Sequence, residues 1–210
     1  MLFNQMNLLL RGCHVIAIGG ALFLSSATDA LACACCADPG FYVFETGKPI
    51  GSYRLDLVRG MKFGTTAQLY LTDAGEEEVK GIASISQSNG LTATLEPKQW
   101  RLTFRAENGK TGVLTLPLPS KMTALAADIH EEGNSEGHGP VLYKEWRFEG
   151  SATGDGIFQT GFASPARYTL IFQGRGNKCD NGEDFTHWRL EISGKKAAYS
   201  FFGELVGDNP

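Results

Sequence analysis

Beyond the first forty or so residues, apolar and polar side chains alternate in short runs instead of recurring at helical spacing. Successive strand side chains face opposite sides of a sheet, so alternation of this kind describes half-buried strands. The clearest run is 99–106, with Trp100, Leu102 and Phe104 on one side and Arg101, Thr103 and Arg105 on the other. Similar runs fall at 42–45, 52–58, 65–71, 79–87, 91–96, 112–116, 141–148, 156–162, 168–173, 185–193 and 198–205. The segment 121–128, with its Met-x-x-Leu-Ala-Ala order, is the one stretch that also fits a short helix, because so brief an apolar run satisfies either period.

Three Asn-Gly pairs punctuate these runs: Asn89-Gly90, Asn108-Gly109 and Asn181-Gly182. Both residues tolerate positive φ, which tight hairpins require, so each pair predicts a turn. All three tryptophans are followed by arginine and a bulky apolar residue: Trp100-Arg101-Leu102, Trp146-Arg147-Phe148 and Trp188-Arg189-Leu190. On a strand each tryptophan shares a face with the residue two further on, and each arginine points the other way. The pattern predicts an all-β chain, an antiparallel meander closed into an up-and-down β-barrel. Two stacked sheets, a β-sandwich, are the alternative way of hiding the strand edges.

The beginning of the chain differs. Arg11 precedes the apolar run 15–24, and Ala30-Leu31-Ala32 follows it. A basic start, an apolar stretch too short to span a bilayer and a small-x-small end predict a signal peptide over 1–32. Removing 1–32 from the 210 residues leaves 178, a single β domain over 33–210. A domain of that size buries about 70% of its unfolded surface. The destination is the periplasm or the extracellular space. Arg11 and Asp29 cancel within the leader, so the mature chain keeps the net charge of −4, and nothing in that balance attracts nucleic acid.

Cleavage after Ala32 would put Cys33, Cys35 and Cys36 at the new N-terminus, far in sequence from Cys179. An oxidising compartment makes disulfides the default fate of such thiols, with Cys35 or Cys36 joined to Cys179. The same four thiolates, Cys33, Cys35, Cys36 and Cys179, are donors that suit copper(I) or zinc(II). The stretch Ala30-Leu31-Ala32-Cys33 also resembles a bacterial lipobox, which implies a lipid on Cys33 and attachment to the envelope membrane; Ala30 stands where that motif usually has Leu. His130 and His138, with Glu131, Glu132 and Glu136 between them, lie in a glycine-bearing segment that reads as a solvated loop. Residues 180–184 faintly resemble a calcium loop but lack its alternating oxygen ligands, and read as a turn.

Enzyme motifs are poor. Ser193-Gly194-Lys195-Lys196 matches Ser-x-x-Lys only at a strand end, where that tetrad does not work. Three non-catalytic readings follow. The first is a barrel that binds a small apolar or amphipathic ligand through Trp100, Trp146 and Trp188. The second is a copper or zinc protein built on the cysteines, and the third an envelope protein with disulfide-tethered termini.

Overall fold

A computed structural model describes residues 37–129, 139–176 and 181–206. In chain order the elements are β1 (Tyr42–Pro49), α1 (Ser52–Gly60), β2 (Lys62–Phe63), β3 (Thr66–Leu69), β4 (Ser88–Glu96), β5 (Gln99–Arg105), β6 (Thr111–Pro117), β7 (Lys121–Asp128), β8 (Leu142–Gly156), β9 (Ala166–Gly176), β10 (Phe185–Gly194) and β11 (Ala198–Val206). Antiparallel pairing runs β3-β4-β5-β6-β8-β9-β10-β11 and returns from β11 to β3, which closes an eight-stranded barrel. The meander predicted from alternation is therefore the fold. Closure leaves these eight strands no open edge over their paired stretches, which is the reason for building a barrel.

One departure from the meander gives the molecule its asymmetry. β8 is fifteen residues long and pairs with β9 from Leu142 to Ala152. Its other edge is shared: β6 takes residues 153–156 and β7 takes 142–147. Residues 118–120 step out of the ladder between β6 and β7. Beyond that step β7 pairs outward with β1 instead of with β5. The barrel thus opens at one end into a sheet extension of β1, β7 and the first half of β8, with β1 as its edge.

The interior is aromatic. Trp100, Phe104, Phe148, Phe158, Phe172, Trp188 and Phe201 are all less than 2% exposed, and all of their rings but that of Trp188 meet one another edge to face or tilted at centroid separations of 4.6–6.3 Å. Such pairs contribute about 0.5–1.5 kcal/mol beyond the area they bury. The far end is plugged by the segment 70–87 and by the 3-10 turn Gln159–Phe162, which carry Val79, Ile82, Ile85 and Phe162 against the core. The extension end is covered by α1, whose Val58 is fully buried, and by Phe63, whose ring meets those of Phe172 and Trp188.

Several local expectations are corrected. The run 52–58 is α1, not a strand. Its apolar residues Leu57, Val58 and the following Met61 pack against the core at helical spacing, and glycines bound it on both sides. The stretch 121–128 is β7 and not a helix, because ladders on both sides, with β1 and β8, decide a sequence that is locally ambiguous. The run 79–87 is a loop, and 156–162 is the end of β8 followed by the 3-10 turn.

The Asn-Gly pairs divide as well. Asn108-Gly109 is the β5–β6 turn, with Gly109 at φ 80° and Asn108 accepting from the Lys110 amide. Asn89-Gly90 lies inside β4, where the buried Asn89 amide donates to the Ser86 carbonyl and so ties down the loop before it. Asn181 caps the 3-10 turn Gly182–Asp184 in the β9–β10 connection, its side chain accepting from the Glu183 amide. Among the described residues no helix is long and apolar enough to cross a membrane.

Candidate functional site

The three tryptophans gather around one ring. Trp146, Phe172 and Trp188 are register partners on β8, β9 and β10, so they share the inner face, and Trp100 reaches Phe172 from across the barrel. Each also has its own aromatic neighbour: Phe148 for Trp100, Phe185 for Trp146 and Phe63 for Trp188. Arg101 and Arg189 point outward and are exposed, and Arg147 is half-buried. What surrounds the tryptophans is side chain, and the contacts they make are those of a packed core. One polar atom there is unsatisfied: Nε1 of Trp188 has no hydrogen-bond partner.

At the extension end the core changes character. Lys144 lies two residues before Trp146, so it too faces inward, where its Nζ sits 2.5 Å from Oδ2 of Asp184. Both side chains are about nine-tenths buried. Asp184 closes the 3-10 turn that follows Asn181, and β9 makes room for it with two glycines on one face. A Cβ on Gly174 would come within 1.9 Å of the Asp184 carbonyl oxygen, and one on Gly176 within 2.0 Å of its carboxyl group. Two charges out of water are tolerated only when they satisfy each other. The pair therefore pins the β9–β10 connection against the inner face of β8.

The outer face of the same strand carries a second ladder. Tyr143, Glu145 and Arg147 alternate on β8. The Tyr143 hydroxyl donates to Glu145 Oε1, and Nε of Arg147 donates to Oε2 at 2.6 Å. Glu145 is buried although it faces outward, because these two side chains lie across it. Burial of the Tyr143 phenol, then its hydrogen bond to Glu145 and that carboxylate's charge, pushes its pKa up to about 12, against a smaller opposing pull from Arg147 and Arg189. Neither ladder follows from the alternation of apolar and polar positions. The signal was present in Tyr143-Lys144-Glu145-Trp146-Arg147, where alternate positions hold complementary groups.

Cys33, Cys35, Cys36 and Cys179, as well as His130 and His138, lie outside the described residues, and so do the disulfide, metal and lipid readings placed on them. The described residues that flank them stand at the extension end. Ala37 packs its carbonyl against Gly139, where an added Cβ would come within 2.4 Å. The Gly40 amide donates to Asp128 at 2.7 Å, at the end of β7. Leu142 pairs with Gly176, three residues before Cys179. His187, eight residues after Cys179 in sequence, is exposed and hydrogen-bonded to Thr186. It shares a register row with Glu145 on the outer face, whereas Asp184 turns inward. Among the described residues no group of three His, Cys, Asp or Glu side chains is placed to hold a metal ion.

Comparison with protein-family models, with curated proteins and with solved structures gives no match, so the site is interpreted from its own residues.

Proposed function

We propose that this chain is an exported, non-catalytic β-barrel binding module that holds a soft metal ion, copper(I) or zinc(II), on cysteine thiolates at its extension end. Cys35, Cys36 and Cys179 are the common ligands, and Cys33 is the fourth where it is not acylated. The observation that carries this reading is the convergence of the flanking residues. Ala37 against Gly139, and Gly176 beside Leu142, bring the chain leading from the N-terminal cysteines and the chain leading to Cys179 to one end of a rigid barrel. Thiolates are the donors that select these ions from an envelope rich in harder ones. The aromatic filling around Trp100, Trp146 and Trp188 favours this end over the barrel interior as the seat of a ligand.

The test is metal titration of the natively processed chain, purified without oxygen and kept reduced, together with its intact mass. One ion bound per chain, with uptake abolished by Cys179→Ser while the barrel stays folded, is the expected result. A reduced chain that takes up neither ion, and an air-purified chain lighter by the hydrogens of two disulfides, would leave the cysteines a tethering role only.

A further inference from the structure

The exposed apolar side chains are unevenly placed. Phe41, Tyr42, Val43, Phe44, Ile129 and Val141 are exposed, and all belong to β1 or adjoin the neighbouring ends of β1, β7 and β8. The register explains part of this concentration. Tyr42 pairs with Ala127, which pairs with Tyr143; Phe44 pairs with Leu125, which pairs with Glu145. Tyr42, Phe44, Leu125, Ala127 and Tyr143 therefore form one outward face, with Glu145 and Arg147 as its polar rim. The opposite face of β1 meets α1, where Arg54 binds Glu45 at 3.3 Å. A contiguous apolar patch with a polar rim marks a surface that is covered in use.

We propose that this outward face rests on a lipid bilayer, with Tyr42 and Tyr143 at headgroup depth and Phe44 among the upper acyl chains. The described chain begins at Ala37, four residues after Cys33, and runs directly into β1. Four extended residues span at most about 14 Å. A lipid on Cys33, which the lipobox resemblance implies, thus enters a membrane within that distance of the segment 37–44. In that modification Sγ takes a diacylglyceryl group from a phospholipid as a thioether, and the headgroup phosphate leaves with the thiol proton. Aromatic side chains with a polar tip are the residues that settle at the membrane–water boundary.

The edge of β1 argues against a second copy of the chain as the occupant. Its register shifts between Glu45 and Lys48, Gly47 there has φ 65°, and Pro49 offers no N–H. Bulges and prolines of this kind discourage a further strand from adding to an edge. Lipid covers the side chains without needing that edge.

The inference does not rest on the metal reading, because its test reads lipid contact alone. The natively processed chain carrying Phe44→Trp is placed in vesicles of phosphatidylethanolamine and phosphatidylglycerol, with and without bromine on the acyl chains. Tyr70→Trp, at the plugged end of the barrel, is the reference. The three native tryptophans are buried, so subtracting the signal of the unsubstituted chain isolates each added indole. Phe44→Trp should lose most of its added emission in brominated vesicles, and Tyr70→Trp should keep it. Should Phe44→Trp fail to fold, Tyr42→Trp reads the same face. Equal quenching at both positions, or quenching at neither, overturns the proposal.

Discussion

The closed barrel and the sheet extension share β8, yet they obey different rules. Around Phe104, Phe158 and Phe201 the interior is almost purely aromatic and aliphatic, and every barrel strand has a neighbour on each side. Past the point where β7 replaces β6 on β8, the interior admits a buried Lys144–Asp184 pair. The outer face there carries exposed aromatics, and one strand is left at an edge. Closure removes the need for polar devices; an open sheet requires them and leaves surface for a partner. The extension is therefore the part of the molecule in which sequence is spent on something other than packing.

The sharpest way to break this contrast is to remove one large side chain from each region. Trp188→Ala should cost about 3–5 kcal/mol, the usual penalty for deleting a fully buried ring. Phe44→Ala should stay within about 0.5 kcal/mol, as exposed positions do. Urea midpoints at constant slope measure both. If the two losses were equal, Phe44 would belong to the core and the extension would not be a separate surface.

A smaller effect separates the two interiors. Lys144→Met leaves Asp184 buried without its partner and should cost about 3 kcal/mol, at the low end for breaking a buried pair because neither group is wholly dry. Lys144→Met combined with Asp184→Leu should recover most of that loss, since an apolar pair needs no compensation. A double-mutant cycle on urea midpoints reads the coupling. A double variant no better than the single one would show that the connection is held by packing, as the barrel is.

These energetic differences also explain what was legible in the sequence. Alternation identified the barrel strands because a half-buried strand repeats a single rule, as Trp100, Leu102 and Phe104 do. It failed on 52–58 and left 121–128 undecided; both belong to or adjoin the extension, where α1 and β7 take their structure from what they pack against. It failed on Asn89-Gly90 because the Asn89 amide serves the buried Ser86 carbonyl instead of a turn. The tryptophans announced themselves by type and spacing. The Lys144–Asp184 pair did not, because its two members are forty residues apart and only the β8–β9–β10 register brings them together.

The outer ladder responds to pH. The Tyr143 pKa is about 12 in the folded chain, against 10 for a free phenol. A raised value favours the neutral phenol in the native state. Its contribution is therefore complete below pH 10 and is lost as pH rises toward 12, when the unfolded phenol ionises first. Absorbance titration of phenolate should show a group ionising near 12 that disappears in Tyr143→Phe, while Tyr168 and Tyr199, pushed higher by burial alone, ionise later still. The alkaline fall in stability should be shallower in that variant. Loss of a group that ionises near 10 instead would place the phenol in open solvent, away from Glu145.

The smallest expected effect concerns how α1 is held to β1. Glu45 takes Arg54 at 3.3 Å and lies 3.9 Å from Lys48, and all three side chains are partly exposed. Exposed ion pairs contribute about 0–1 kcal/mol and weaken with salt, so Glu45→Gln should cost no more than that, and less at high ionic strength. Val58, buried on the same helix, is the stronger attachment. Val58→Ala removes two methyl groups from a packed site and should cost about 2–3 kcal/mol, independent of salt. Urea titrations of both variants at low and high sodium chloride separate the two contributions. A Glu45→Gln loss that matched Val58→Ala and vanished in salt would mean that α1 is steered onto the extension by charge. The extension would then be an electrostatic assembly and not a hydrophobic continuation of the barrel.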